Sequence, residues 1–450
     1  MTLSAAEQYL LELMNRARLD PAGEAARMGI DLNANLAAGT IKATAKQVLA
    51  PNALLEQAAT AHSSWMIAND IFSHTGVGGS LPGARITAAG YHFGTWGENV
   101  GLTAGSGAID VQTAIDQLNT SLFLSQEHRV NTLGEGFREV GLGAEVGIFT
   151  SGGTDYNAML LTQDFGLSGT ARFLTGVAYT DSNANNFYSI GEGRAGIRFT
   201  AQGITNTTAD AGGYAIGLTS GAAVQVTGTS GTLNFSLTVD MTPGNVKLDL
   251  VNGTTFLTSG SVTLKTGIND VTLLGVGSFN ATGNDLANRI TGNVGNNVLT
   301  GMGGNDTISS GGGNDKLWGD LGNDLVTGGD GADEIHGGTG NDNLDGGVGI
   351  DKIYGDAGID RLTGGTLNDT FIFANAFGTD TITDFSAAQN DVLRFDNAIW
   401  GNTTKTAAQV VAQFAQVTGG HVVFTFSPGE VLHLLNVTTL TGLATHLEIF

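Results

Sequence analysis

The chain of 450 residues has no cysteine and only five prolines. Without cysteine it forms no disulfide, no thiolate zinc site and no thiol nucleophile. Lysine and arginine together number 19 against 42 aspartates and glutamates, a formal net charge of −23. Such an acidic balance argues against nucleic acid or an anionic membrane as partner. No apolar run reaches the length of a transmembrane helix. The opening stretch, MTLSAAEQYLLELMNRARLD, reads as an amphipathic helix with acids from the start. It has neither the basic start nor the apolar core of a secretory leader, so no N-terminal signal is expected. What the chain has in excess is glycine, 69 residues. With so little proline beside it, the glycine marks turns rather than disordered linker.

The glycines are periodic. From Gly283 to Ile372 the sequence falls into ten rows of nine, among them GMGGNDTIS, SGGGNDKLW and GGTGNDNLD. The eighth column is always apolar: Ile290, Leu299, Ile308, Leu317, Val326, Ile335, Leu344, Ile353, Leu362 and Phe371. The sixth is Asn288 and Asn297, then Asp306, Asp315, Asp324, Asp333, Asp342, Asp351, Asp360 and Asp369 without a break. A fixed nonapeptide period predicts a parallel β-roll with two rows per turn. The three residues ending in the apolar one are expected to form a short strand, and the glycines to turn the chain. Rows eighteen residues apart then stack, which sorts the aspartates into two columns.

Neighbours in a column lie about one strand spacing apart, ~5 Å. Even in water, like charges at that distance repel by roughly 0.8 kcal/mol per pair. A hard cation held by carboxylates and turn carbonyls reverses the sign, and oxygen ligands on a flexible loop suit Ca²⁺ better than Mg²⁺. A metal-free Gly/Asn solenoid leaves the aspartates unexplained. The rows resemble the RTX family, whose pattern is GGxGxDxUx with U a bulky apolar residue. The rows starting at Gly283 and Gly292 lack the Asp, and Leu286 and Leu367 replace the fourth-column Gly. The end rows are therefore expected to be weak sites or caps.

Residues 1–167 form an α+β segment. Ser4 with Glu7 makes a capping box for a first helix. A second helix spans roughly 52–70 and a third 110–124, followed by strand alternation over 139–149 and 157–165. Three short motifs stand out: FSHTG (Phe72 to Gly76), GENVG (Gly97 to Gly101) and EHRVNTL (Glu127 to Leu133). FREVGLG follows them, and the last strand ends in DFG. In this order they resemble the bacterial branch of the CAP superfamily (SCP-like domains), which implies an α-β-α sandwich with a central cleft of two histidines and two acids. The resemblance places His74, Glu98 and His128 on three of those positions, as candidate catalytic residues and a candidate Zn²⁺ site. Asp116 and Glu127 are the candidates for the fourth. The other reading is a polar cluster that braces the loops. His62, on an apolar helix face, is expected to be structural, His92 a loop residue, and Trp65 and Trp96 core.

Residues 168–251 alternate in short runs with Gly/Asn/Asp turns, the pattern of a small β-sandwich. In its first turn Asp181, Asn183, Asn185, the Phe187 carbonyl, Ser189 and Glu192 occupy positions 1, 3, 5, 7, 9 and 12 of an EF-hand-like loop. Asn186 sits where glycine is usual, and asparagine tolerates the left-handed conformation. The loop resembles the calcium loop in B-type modules of bacterial surface adhesins, which implies a prealbumin-like fold and weak Ca²⁺ binding. An Asn-rich turn without metal is the alternative.

Residues 252–372 carry the roll, with 252–282 read as its first rungs and 283–372 as the nonapeptides. Residues 373–450 are mostly β. Their opening, GTDTITDFSAAQNDVLRF, resembles the stretch after the roll in serralysin-type exoproteins, and the end, LEIF, resembles a type I export signal. A helix is expected over 403–417 and a hairpin turning at Ser427 to Gly429. HEXXH is absent, which excludes a serralysin protease. The resemblances together imply a secreted, extracellular or cell-surface Ca²⁺ protein with a type I exporter as partner. For the head three roles stay open: metal-assisted hydrolysis, non-catalytic binding of a lipid, peptide or surface component, and a structural or adhesive part.

Overall fold

The structure, a computed structural model, describes residues 3–219 and 221–450. The chain divides into two compact units, one ending at Gly260 and the other spanning Ser261–Phe450.

In the first unit, Ser4 opens helix α1 (Ala5–Leu19). Its hydroxyl accepts from the Glu7 amide while the Glu7 carboxylate accepts from the Ser4 amide, which is the expected box. The order continues with α2 (Pro21–Arg27), β1 (Ala50–Pro51), α3 (Ala53–Ala68), α4 (Pro82–Ala88), β2 (Thr95–Gly105), α5 (Val111–Leu124), α6 (Gln126–Thr132), β3 (Glu139–Ser151) and β4 (Thr154–Leu167). The sheet runs β1-β3-β4-β2, parallel only between β1 and β3, with β2 at an edge. Helix α3 lies on one face, buried along Leu55, Ala58, Ala59, His62 and Met66. It comes so close that a Cβ on Gly141 or Gly143 would overlap its backbone, which is the physical content of the VGLG stretch. Helix α5 packs Leu118 over Gly101 of β2. Helices thus cover both sides of one sheet.

Two sets of four neighbouring strands follow. One orders Thr255–Thr258, Val246–Val251, Arg172–Tyr179 and Gly213–Leu218; the other Leu233–Asp240, Ala223–Ser230, Arg198–Ala201 and Ile204–Thr207. Phe199, Tyr214, Phe235 and Phe256 meet between them with ring centroids 4.0 to 5.4 Å apart. Strand Thr255–Thr258 pairs antiparallel with Val246–Val251, so the first unit continues past the boundary at 251 drawn from the sequence. Alternation alone does not distinguish a sandwich strand from a rung.

The second unit is the β-roll. Strands stack in parallel eighteen residues apart, Ile290 on Ile308 on Val326 in one sheet and Leu299 on Leu317 on Ile335 in the other. All ten apolar column residues are buried. The strands sit later than expected: Thr307–Gly312, for example, starts on the residue after the Asp and runs through the apolar position into the glycines. Most glycines of the second and fourth columns take positive φ, but Leu367 holds the same turn at φ 80°, so the turn tolerates a side chain there. C-terminally, Thr406 caps a helix confined to Ala407–Phe414, because residues 415–418 pair instead with the strand His421–Ser427. That strand and Glu430–Leu434 form the expected hairpin, and Glu430–Leu434 lies parallel to Thr379–Ile382 of the roll. Phe373, Phe395, Phe424 and Phe426 pack together beside it, a dry end to the solenoid. Among the described residues no helix is long and apolar enough to cross a membrane.

Candidate metal and ligand sites

Each sixth-column aspartate of the roll is buried and only half satisfied. Its Oδ1 accepts a backbone N–H from the equivalent residue one turn earlier: Asp306 donates to Asp324, Asp315 to Asp333, Asp324 to Asp342 and Asp333 to Asp351, at 2.7–2.8 Å. The same bond links Asp342 to Asp360 and Asp351 to Asp369. The Oδ2 atoms of all eight are buried with no hydrogen-bond partner. Burial pushes these carboxyls up, to about 7 for Asp306, Asp333, Asp342 and Asp369 and about 6 for Asp351 and Asp360. Asp315 and Asp324 are raised for the same first cause.

The residues fit Ca²⁺. A Cβ built on Gly346 would stand 2.5 Å from both Asp351 Oδ2 and the Gly364 carbonyl; on Gly328 it would meet Asp333 Oδ2 and the Gly346 carbonyl at the same distance. First-column glycines such as these leave an oxygen-lined gap beside an unsatisfied carboxylate oxygen, the donor set a hard cation takes. Asn288 and Asn297 occupy the same column without that need. Their Oδ1 atoms accept from the Asn284 and Asn293 amides, and their Nδ2 groups donate to the Asn269 and Phe279 carbonyls. Beside Gly283 and Gly292 an oxygen already bonded to a backbone N–H stands where the later rows have an orphan.

The structure also extends both columns beyond the rows. Asp380 accepts from the Asp360 amide, its Oδ2 is another orphan, and burial followed by the Asp360 charge pushes its carboxyl to about 9. Asp391 accepts from the Asp369 amide and, through Oδ2, from the Ser386 amide. These two were missed because the step lengthens from 18 to 20 and then 22 residues. TDTI and NDVL keep the Asp-x-apolar signature, which a search tolerant of insertions picks up.

In the first unit, His74, Glu98 and His128 come to the edge of β2 from three different elements. His74 lies in the loop after α3, Glu98 on β2 and His128 on α6; the two rings are 6.4 Å apart between centroids. His74 Nδ1 lies 2.8 Å from Glu98 Oε1, and its side chain is 51% exposed against 1% for Glu98. The other Glu98 oxygen pairs with Arg85, which also donates to the His74 carbonyl. Arg85 is the partner that sequence reasoning missed: it sits in α4 outside every motif. Burial, then the charge of His74, lowers the His128 imidazole. Opposite Glu98 across the β2–β4 ladder, Asp164 is fully buried with neither carboxyl oxygen bonded. Burial and then Glu98 push its carboxyl well above the usual range.

The fourth-position candidates stand elsewhere. Asp116 accepts from the Tyr9 hydroxyl at 2.8 Å, and Glu127 is exposed on the first turn of α6. The zinc expectation therefore does not fit: both Glu98 oxygens are engaged, and two imidazoles remain. Among the described residues no group of three His, Cys, Asp or Glu is placed to hold a metal ion. His62 is buried with Nε2 at 2.8 Å from the Ser73 carbonyl, and its ring stacks on Trp65. His62, Trp65, Val77 and Arg85 line an open pocket of about 250 Å³ beside the His74–Glu98 pair. Trp65 is half-buried and packs against the core cluster of Met66, Val100 and Leu160, whereas Trp96 is exposed and is not the core residue expected. His92 is exposed on its loop.

In the sandwich loop, Asp181 accepts from the Asn185 and Asn186 amides, Asn183 bonds Ser189, and Asn185 accepts from the Phe187 amide. Glu192 accepts from Ser182 and from the Ser189 amide. Asn186 takes φ 56°, as expected at that place. The loop folds by its own Asx turns, and Phe187 packs against Tyr9 and under Arg16 of α1.

Fold and sites together define a modular protein: a helix-covered sheet with a polar cleft, a β-sandwich and an oxygen-lined parallel solenoid. Residues 11–162 match the family model of the Cysteine-rich secretory protein family (CAP), and residues 282–371 are matched by four copies of the RTX calcium-binding nonapeptide repeat. The chain therefore joins a CAP domain to calcium-binding RTX repeats. Among solved structures it is similar to an extracellular protein containing a SCP domain from Bacillus anthracis str. Ames, at 24% identity over 27% of this chain and 35% of that one, TM-score 0.21. It is also similar to the extracellular lipase LipA from Serratia marcescens, at 16% identity over 41% of this chain and 40% of that one, TM-score 0.20. The chain thus spans well under half of either structure. No match is found among curated proteins.

Proposed function

We propose that this is a secreted protein whose roll folds on Ca²⁺ outside the producing cell and whose CAP domain holds a ligand without chemistry. The observation that carries the proposal is the double column of buried, unpartnered Asp Oδ2 atoms. At cytosolic Ca²⁺ these charges stay uncompensated and the segment stays unfolded, as passage through a type I exporter requires. At extracellular Ca²⁺, binding energy becomes folding energy. Deleting residues 391–450 should trap the chain in cells that carry the exporter; normal secretion of that truncation would refute the export reading. For the head, the pocket of His62, Trp65, Val77 and Arg85, with Val77 64% exposed at its rim, supports a ligand with an apolar body and an anionic group. An adhesive or display role is the form such binding takes if the ligand is a surface component. The test is retention of the Ca²⁺-loaded chain on immobilised lipids and peptides, weakened by Arg85→Gln.

One observation favours a second reading. The His74 Nδ1–Glu98 contact leaves Nε2 free on an exposed ring, the arrangement of a general base oriented by a carboxylate. A screen of ester and peptide hydrolysis, with His74→Ala as control, separates hydrolase from binder: turnover lost in His74→Ala would establish the enzyme.

A further inference from the structure

The C-terminal hairpin carries two histidines that none of these roles uses. Strands His421–Ser427 and Glu430–Leu434 run antiparallel with Val423 opposite His433. His421 precedes Val423 by two positions, so His421 and His433 project from one face as a diagonal pair, a separation that long side chains bridge. Their rings stand 5.6 Å apart between centroids, with His433 Nδ1 3.4 Å from His421 Nε2. Both residues are half-buried, open to solvent on one side.

We propose that His421 and His433 form a two-imidazole clip for a borderline divalent cation of the zinc, copper or nickel class, separate from the Ca²⁺ columns. The distance is the argument. Two Zn–N bonds of about 2.0–2.1 Å at a tetrahedral angle hold their nitrogens about 3.3–3.4 Å apart. The two ring nitrogens already stand at 3.4 Å, before any rotamer change. Imidazole donors select these cations over Ca²⁺, which takes oxygen. Burial, then His421, lowers the His433 imidazole and so favours the neutral, ligating form. In the cation-free clip one nitrogen donates its proton to the other. On binding, that proton moves to the far nitrogen of its own ring, and both lone pairs face the cation. Water completes the coordination. The clip ties the start of one strand to the end of the next, on a hairpin that continues a sheet of the roll.

The test uses the full chain in saturating Ca²⁺, titrated calorimetrically with Zn²⁺. His421→Gln and His433→Gln are each expected to weaken binding at least ~10-fold, the lower end of what even outer partners of metal ligands contribute. The double variant should bind no more weakly than either single one, because losing one arm already opens the clip. His74→Gln and His128→Gln should leave this affinity unchanged. Cu²⁺ bound to the wild-type chain should give an electron spin resonance spectrum with two imidazole nitrogens, a reading that needs no variant to fold. Unchanged Zn²⁺ affinity in both hairpin variants, loss of binding in the head variants instead, or a spectrum with no more than one imidazole would each overturn the proposal.

Discussion

Buried carboxylates in the head and in the roll are treated in opposite ways. In the head, Glu139 receives bonds from Asn52, Tyr91 and Ser168, and Glu24 is gripped by Arg16 and Arg27. Glu98 is held by His74 and Arg85. Every one of these acids meets a partner from its own chain. In the roll each sixth-column Asp spends Oδ1 on the neighbouring turn and leaves Oδ2 buried and bare. A buried charge without a partner is strongly destabilising. The head is therefore self-sufficient, and the stability of the roll is lent by the cation. Asp164 in the head also has both carboxyl oxygens buried and unbonded, and burial raises its carboxyl, which favours the uncharged form.

The largest test of this contrast is Ca²⁺ withdrawal. In chelator, amide exchange should become fast across 283–372 while α3 and the strand pair β3–β4 stay protected. Equal protection in both regions would remove the distinction. Acid is the next lever. Without Ca²⁺, Asp306, Asp333, Asp342 and Asp369 have folded-state values of about 7 against ~3.9 when unfolded. A raised acid stabilises the fold fully below the unfolded value and loses that contribution as pH rises through the folded one. In chelator, lowering the pH from 8 to 5 should thus restore part of the strand signal in circular dichroism. With Ca²⁺ present the order reverses, because protons compete with the metal.

In the head, Arg85→Met removes one partner of a buried pair and should cost about 3–5 kcal/mol in urea unfolding of the Ca²⁺-loaded chain. Within the roll, Asp333→Ala and Asp342→Ala should each move the Ca²⁺ midpoint upward, while Asn288→Ala should leave it nearly in place, since Asn288 already satisfies itself. The smallest effect is Ser4→Ala. It removes the cap of α1 and should cost ~1 kcal/mol, in the head alone and independent of Ca²⁺.

The nonapeptide rows were legible because period and residue type are written directly in the chain: glycine at the turns, an apolar residue inward, Asp at a fixed offset. The capping box of α1 and the positive φ of Asn186 were legible for the same local reason. Asp380 and Asp391 were not, since two short insertions break the count while the stacking absorbs them as longer turns.

Sequence by itself determined what depends on near neighbours or on strict repetition: the solenoid, its two columns, the hairpins and the motif order of the head. Only the tertiary structure decided who partners whom across the chain. It gave Glu98 to Arg85, turned Asp116 toward Tyr9, and set Asp164 opposite Glu98 with its carboxyl pushed upward. It also brought His421 to within 3.4 Å of His433. The reason is electrostatic. A charge in a dry interior takes whichever opposite charge or donor the packing delivers, and packing joins residues that no spacing in the sequence relates.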